Sequence, residues 1–215
     1  MRLILASASP RRAELLRSAG YAFDVVVADV DESIHQGESP STYVRRLAAD
    51  KSAAVLSTLA QSLVGSGFSR TSEGERVVDG PPKGGPHDVV VLGADTTVVV
   101  DGEVLGKPRD DEEGRQMLRR LSDKTHQVLT GISLRQGAYE VGRVETTTVS
   151  FRPLTDEDIS WYVASGEGRD KAGGYAIQGL ASRFIPSIAG SYSNVVGLPV
   201  ACLDELLRSL LAPGR

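Results

Sequence analysis

Residues 3–16 read Leu-Ile-Leu-Ala-Ser-Ala-Ser-Pro-Arg-Arg-Ala-Glu-Leu-Leu, and this stretch decides the fold class. Residues 3–6 form a short apolar run with turn residues behind it, the pattern of a buried strand. Residues 10–19 read as a helix: Ser9 suits the N-cap, Pro10 the first helical position and Gly20 the stop. A helix start presents unpaired N–H groups and partial positive charge, which suits a phosphate. Ser7 and Ser9 add hydroxyls there, and Arg11 and Arg12 add guanidinium forks that match phosphate oxygens. Hydrogen bonds to a charged group contribute about 1.5–3 kcal/mol each, against about 0.3–1 kcal/mol for the helix terminus, so the arginines would dominate. The competing reading is a capped surface helix with two solvated arginines. Arginines at the positive end of a helix are electrostatically misplaced unless an anion joins them, which favours the anion site.

Outward from this unit, strands and helices alternate, so the class is α/β. Residues 23–27 are apolar and read as a second strand. Ser39-Pro40 repeats the helix-start signal, and the helix it opens runs to about residue 63. Val44, Leu47, Lys51 and Val55 share one face of it, which places a lysine in an apolar stripe. Residues 65–86 are rich in Gly, Ser and Pro and read as a disordered surface insertion, inside what is otherwise one domain over 1–215. Residues 89–100 are a nearly continuous β-branched run, hence a buried strand, followed by a hairpin signal at Asp101-Gly102. A helix is expected from about Asp110 to Leu121. Strands are expected at 127–135 and 140–151, with a turn at Gln136-Gly137. Thr155 to Asp158 is a capping box that opens a helix to about residue 165. A Gly-rich loop at 170–179, a strand at 184–188 and a helix at 199–211 complete the chain.

Bulk composition narrows the function. The 215 residues carry a net charge of −4 and no dense Lys/Arg run, which argues against a nucleic-acid binder. No stretch approaches the ~18 apolar residues of a membrane span, and the N-terminal apolar run is too short for a signal peptide. The one cysteine, Cys202, permits no internal disulfide and fits a reducing cytoplasm.

Asp95 sits inside the apolar strand 89–100, and a lone buried carboxylate costs several kcal/mol unless it is paired or metal-bound. It therefore either forms an internal ion pair or lines a site. Lys51, Lys107 and Lys171 are each unremarkable alone, but together they offer the cations a triphosphate requires. Asp29, Asp31 and Glu32 are either a solvated turn or carboxylates for Mg²⁺ or Mn²⁺, which prefer oxygen ligands. The P-loop, dinucleotide and Gly-x-Ser-x-Gly patterns are absent, which leaves a serine hydrolase poorly supported.

Read in order, the motifs at 5–12 (Leu-Ala-Ser-Ala-Ser-Pro-Arg-Arg), 31–32 (Asp-Glu), 46–51 (Arg-Leu-Ala-Ala-Asp-Lys) and 93–96 (Gly-Ala-Asp-Thr) resemble the Maf family of nucleoside triphosphate pyrophosphatases. So do those at 106–108 (Gly-Lys-Pro), 125–131 (Thr-His-Gln-Val-Leu-Thr-Gly), 170–179 (Asp-Lys-Ala-Gly-Gly-Tyr-Ala-Ile-Gln-Gly) and 190–199 (Gly-Ser-Tyr-Ser-Asn-Val-Val-Gly-Leu-Pro). The resemblance implies a mixed central sheet with flanking helices and two lobes around a cleft. It implies hydrolysis between the α and β phosphates, a divalent cation, a homodimer, and Asp95 as the base that activates water. Ser9, Arg12, Lys51, Lys107 and Gln178 match family positions that hold or orient substrate. Arg11, Thr96 and Gln178 resemble the branch acting on dTTP and UTP, and Gln178 can both donate to and accept from a pyrimidine edge. Glu32 with Asp95 is the expected metal pair, and Lys107 or Lys171 is expected to neutralise developing charge. The competing expectations are a 7-methyl-GTP-type pyrophosphatase and a nucleotide-binding regulator of septum formation.

Overall fold

The computed structural model of the chain describes residues 1–65 and 89–211. The disordered insertion expected at 65–86 lies, but for Gly65, outside the described residues. The elements in order are β1 (Arg2–Ala6), α1 (Pro10–Ser18), β2 (Phe23–Val25), α2 (Pro40–Gly65), β3 (Val89–Val100), β4 (Glu103–Leu105), α3 (Asp111–Leu121), β5 (Thr125–Gln136), β6 (Tyr139–Ser150) and α4 (Asp156–Ala164). Two 3₁₀ turns follow at Ala172–Gly174 and Leu180–Phe184, then β7 (Ser187–Ala189), α5 (Tyr192–Val196) and α6 (Val200–Leu211).

The strands form one seven-stranded mixed sheet in the order β2-β1-β3-β5-β6-β7, with β4 beside the far half of β3. β1 runs parallel to both β2 and β3, and the remaining pairs are antiparallel. β1 is buried on both faces, as its unbroken apolar run requires. Leu3 and Leu5 pack with α1 and α6, through Leu16, Leu203 and Leu207. Ile4 and Ala6 point the other way, onto Val55 of α2.

β3 changes company halfway along. Val90, Leu92 and Ala94 belong to the core under α1 and α6, whereas Val98 and Val100 belong to a second core with Leu118, Tyr162 and Phe184. β1 pairs with β3 only as far as Gly93, and β4 joins it only from Val98. Between those points one edge of β3 has no strand neighbour among the described residues, and Asp95 lies there. The site therefore follows from topology: it opens beyond the carboxyl end of a parallel strand, where the two cores part.

The local signals hold in most places. The Asp101-Gly102 turn has both residues at positive φ, 52° and 80°, as a tight hairpin requires. The Thr155–Asp158 capping box is formed in both directions, and Asp110 caps α3. Three expectations change. β2 ends at Val25, because Val25 and Val27 are exposed on the outer strand, although Val26 N–H still donates to the Leu5 carbonyl. The β5–β6 hairpin turns at Gly137 and Ala138, since Gln136 still pairs with Tyr139. The strand expected at 184–188 is instead a 3₁₀ turn ending at Phe184 and a strand at 187–189. Phe184 is drawn into the core against Tyr162 and Phe151. The short α5, capped by Ser191, had no sequence reading. Among the described residues no helix is long and apolar enough to cross a membrane.

Candidate active site

Lys51 reaches the open edge of β3 because α2 lies unusually close to the sheet. A Cβ on Gly93 would strike the Ala48 carbonyl, and one on Gly131 would strike the Val44 carbonyl. Only glycine lets the helix settle there, one turn and two turns before Lys51. The Lys51 ammonium then donates to Asp95 Oδ1 at 2.7 Å and pairs with Glu32 Oε1 at 2.6 Å. Lys51 and Asp95 are both buried, so each offsets the desolvation of the other. Burial pushes the Glu32 carboxyl up, but the hydrogen bond and charge of Lys51, with help from Lys107 and Arg12, outweigh it and hold that carboxyl below its usual value.

The loop that carries Glu32 is pinned to α2. Tyr43 donates to the Glu32 backbone carbonyl at 3.0 Å. Arg46 forms a two-point pair with Glu38 at 2.7 and 2.8 Å and also donates to the Ser33 carbonyl. Asp31 accepts from the Ser33 N–H and so shapes the loop.

The start of α1 lines the same cavity as this trio. Ser9 holds the N-cap position but makes no side-chain cap bond, contrary to the sequence reading. Ser7 Oγ accepts from the Ser9 N–H instead, at 3.2 Å. Arg12 is buried and held from three sides: it donates to Ser7 Oγ at 2.9 Å, to Thr96 Oγ1 at 3.1 Å and to the Gly197 carbonyl at 2.8 Å. Burial lowers the pKa of its guanidinium, and Asp95 opposes that. Thr96 also bonds Thr130 Oγ1 at 3.0 Å, so its hydroxyl is engaged in fixing Arg12. The C-cap of α5 supplies the Gly197 carbonyl, and buried Asn194 anchors that helix to Val128 and Thr147. Arg11 pairs with Asp170 at 3.1 Å, and Lys171 is turned onto Asp170 and the Glu167 carbonyl, both at 2.5 Å.

Ser7, Arg11, Arg12, Glu32, Lys51 and Asp95 border one cavity of about 550 Å³, together with Tyr43, Thr96, Asp170, Lys171 and Gly197, and Ser9, Lys107 and Gln178 line it as well. That volume suits a nucleotide-sized ligand. Val98, Val104, Val128, Ala176 and Val196 line its drier part. Ser9, Arg11, Arg12, Glu32, Lys51, Asp95, Thr96, Lys107, Lys171 and Gln178 thus border the same cavity, whereas Asp29 and Asp31 do not line it. Sequence reasoning missed Tyr43, Asp170 and the Gly197 carbonyl. Asp170 was visible as a motif member, but nothing local tied it to Arg11. His126, in contrast, is a core residue. Burial pushes it down to about 4, and Nε2 bonds the Tyr175 hydroxyl at 2.8 Å.

The donor set fits a hard divalent cation. Glu32 and Asp95 each place an oxygen on the same ammonium, so the pair can share one positive charge. Among the described residues no group of three or more His, Cys, Asp or Glu gathers. The remaining ligands would therefore come from water and phosphate, as Mg²⁺ commonly takes them.

Comparison with known proteins places the whole chain among relatives. A family model described as Maf-like protein matches residues 2–210. The dTTP/UTP pyrophosphatase of Symbiobacterium thermophilum is 49% identical over 95% of this chain and 92% of its own. That of Anaeromyxobacter sp. strain Fw109-5 is 47% identical, covering 96% of this chain and 88% of its own. The Escherichia coli O157:H7 protein of the same name is 45% identical, covering 98% and 93%. The solved Ham1 protein of Staphylococcus aureus aligns with 98% of this chain and 100% of its own at 13% identity, with a TM-score of 0.47.

Proposed function

This chain belongs to the Maf family, and we propose that it hydrolyses dTTP and UTP to the nucleoside monophosphate and pyrophosphate. The observation that carries the reading is the meeting of Lys51, Asp95 and Glu32 in one cavity with Arg11 and Arg12. The names of the relatives supply the substrates.

In this mechanism Arg11, Arg12 and the free N–H groups of α1 receive the polyphosphate, and Ser7, Thr96 and Gly197 keep Arg12 aimed at it. Asp95 orients a water molecule and accepts its proton while the oxygen attacks the α-phosphorus. The bond to the bridging oxygen breaks, pyrophosphate leaves, and Asp95 returns the proton to solvent. Lys51 fixes the Asp95 carboxylate, and Lys107 faces the charge that gathers on the leaving group. Asp95 and Glu32 would hold a Mg²⁺ or Mn²⁺, whose chemistry is to neutralise phosphate charge and lower the pKa of bound water. Positioning and electrostatics supply most of the rate in phosphoryl transfer, and a site built of charge clamps agrees with that. Gln178 in the cavity lining presents one donor and one acceptor to the base.

A pyrophosphate-release screen over canonical triphosphates and 7-methyl-GTP, with Mg²⁺, with Mn²⁺ and with a chelator, tests this reading. Release from dTTP and UTP that the chelator abolishes is expected. Turnover confined to 7-methyl-GTP would overturn the pyrimidine assignment. Tight nucleotide binding without turnover would overturn the catalytic one and favour a regulator.

A further inference from the structure

The cations of the cleft differ in what occupies them. Lys51 is taken by two carboxylates, and Arg12 by two hydroxyls and a carbonyl. Arg11 and Lys171 come from different elements, one from α1 and one from the loop after α4, and they share Asp170. Asp170 Oδ2 accepts from Arg11 Nη1 at 3.1 Å and Oδ1 accepts from Lys171 Nζ at 2.5 Å. Burial pushes the Asp170 carboxyl up, but these two cations outweigh it and hold it below its usual value, so it is ionised at neutral pH. A carboxylate inside a cavity otherwise arranged for a polyanion opposes its ligand unless it moves. The Asp170 side chain is 65% exposed, so it can turn to water without paying for desolvation.

We propose that Asp170 is an internal stand-in for phosphate. It bridges Arg11 and Lys171 in the free protein, yields both to the entering polyphosphate, and takes them back as pyrophosphate leaves. The identity of the anion rests on the pyrophosphatase reading; the competition between Asp170 and that anion rests on the ion pairs themselves. Asp170 is thus a positioning residue acting through two cations. Its effect falls on how tightly phosphate products are held, and the chemical step is unchanged by it.

Calorimetric titration of inorganic pyrophosphate into the wild type, Asp170→Asn and Asp170→Glu tests this at low and high salt. Asp170→Asn should bind pyrophosphate about three- to tenfold more tightly, the scale of two partly exposed ion pairs. High salt should shrink the gain, and Asp170→Glu should restore the wild-type affinity. Asp170→Ser carries the same expectation as Asp170→Asn, and matching melting curves show that each variant is folded. In an Arg11→Met background the gain should fall, because one of the two released cations is gone. Pyrophosphate affinity in Asp170→Asn and Asp170→Ser no tighter than in the wild type overturns the proposal, as does an equal gain in the Arg11→Met background. Wild-type hydrolysis of dTTP is scored separately. If it is absent while Asp170→Asn still tightens pyrophosphate, the stand-in role holds and the pyrophosphatase reading falls. If it is present while affinity is unchanged, the reverse follows.

Discussion

At Lys51 an ammonium on a helix lies against two carboxylates, and buried charges of this kind persist only in company. The arrangement separates two roles that a carboxylate could play at Asp95. An acid needed only to neutralise Lys51 could be replaced by an amide at modest cost to turnover, whereas an acid that takes a proton could not. Asp95→Asn should therefore lower the rate of pyrophosphate release from dTTP by about 10²–10⁴-fold, the usual worth of a positioned base. Glu32 remains to hold Lys51, so dTTP affinity measured by calorimetry in the absence of divalent cation should change little. An unaltered rate would remove Asp95 from the chemistry. Two residue-level facts could be read early: an acid in a β-branched run, and a lysine in an apolar stripe. That they meet could not be read, because residues 51 and 95 lie on different elements.

At the scale of elements the decisive contact is α2 against β3 and β5. The stripe of Val44, Leu47 and Val55 is fully buried, as its spacing requires, and Lys51 continues it toward the cleft. The depth at which α2 sits is set by Gly93 and Gly131, whose missing side chains leave room for helix backbone. Gly131→Ala would force α2 off the sheet at Val44. The expected loss is about 1–3 kcal/mol in urea unfolding, the cost of overpacking. The shift also draws Lys51 from Asp95, so dTTP turnover should fall even where the variant is fully folded. Retained turnover with lowered stability would show that Lys51 tolerates the displacement. The glycines were legible as members of motifs, but their purpose was not, since the atoms they make room for belong to a helix some forty or more residues earlier in the chain. The strand expected at 184–188 failed for a related reason: a large aromatic that suits a strand is pulled into a 3₁₀ turn by the Tyr162 and Phe151 rings.

At the scale of the whole molecule, His126 couples pH to folding. It is buried in β5, and desolvation lowers it from 6.5 to about 4. The unfolded chain takes up a proton below about 6.5 that the folded chain refuses until about 4, so stability falls as the pH drops between those values and levels below them. The full loss is about 3 kcal/mol by linkage. His126→Gln should flatten that part of the stability–pH curve in denaturant unfolding followed from pH 7 to pH 4. An unchanged slope would assign the dependence to other groups.

The sequence alone determined the α/β class, the strand at 89–100, the capped helices α3 and α4, and the residue types that a phosphate site needs. These depend on propensity, period and capping, which act over a few neighbouring positions. Tertiary structure decided which of those residues meet. It joined Arg12 to Thr96 and Gly197, turned Lys171 and Arg11 onto Asp170, and left the start of α1 without the side-chain cap that Ser9 promised. The reason is physical. The cleft exists because the pairing of β1 with β3 stops at Gly93 and that of β4 with β3 begins at Val98, a matter of sheet register. Register is set by strand pairing and core packing over the whole chain, and no local stretch of residues contains it.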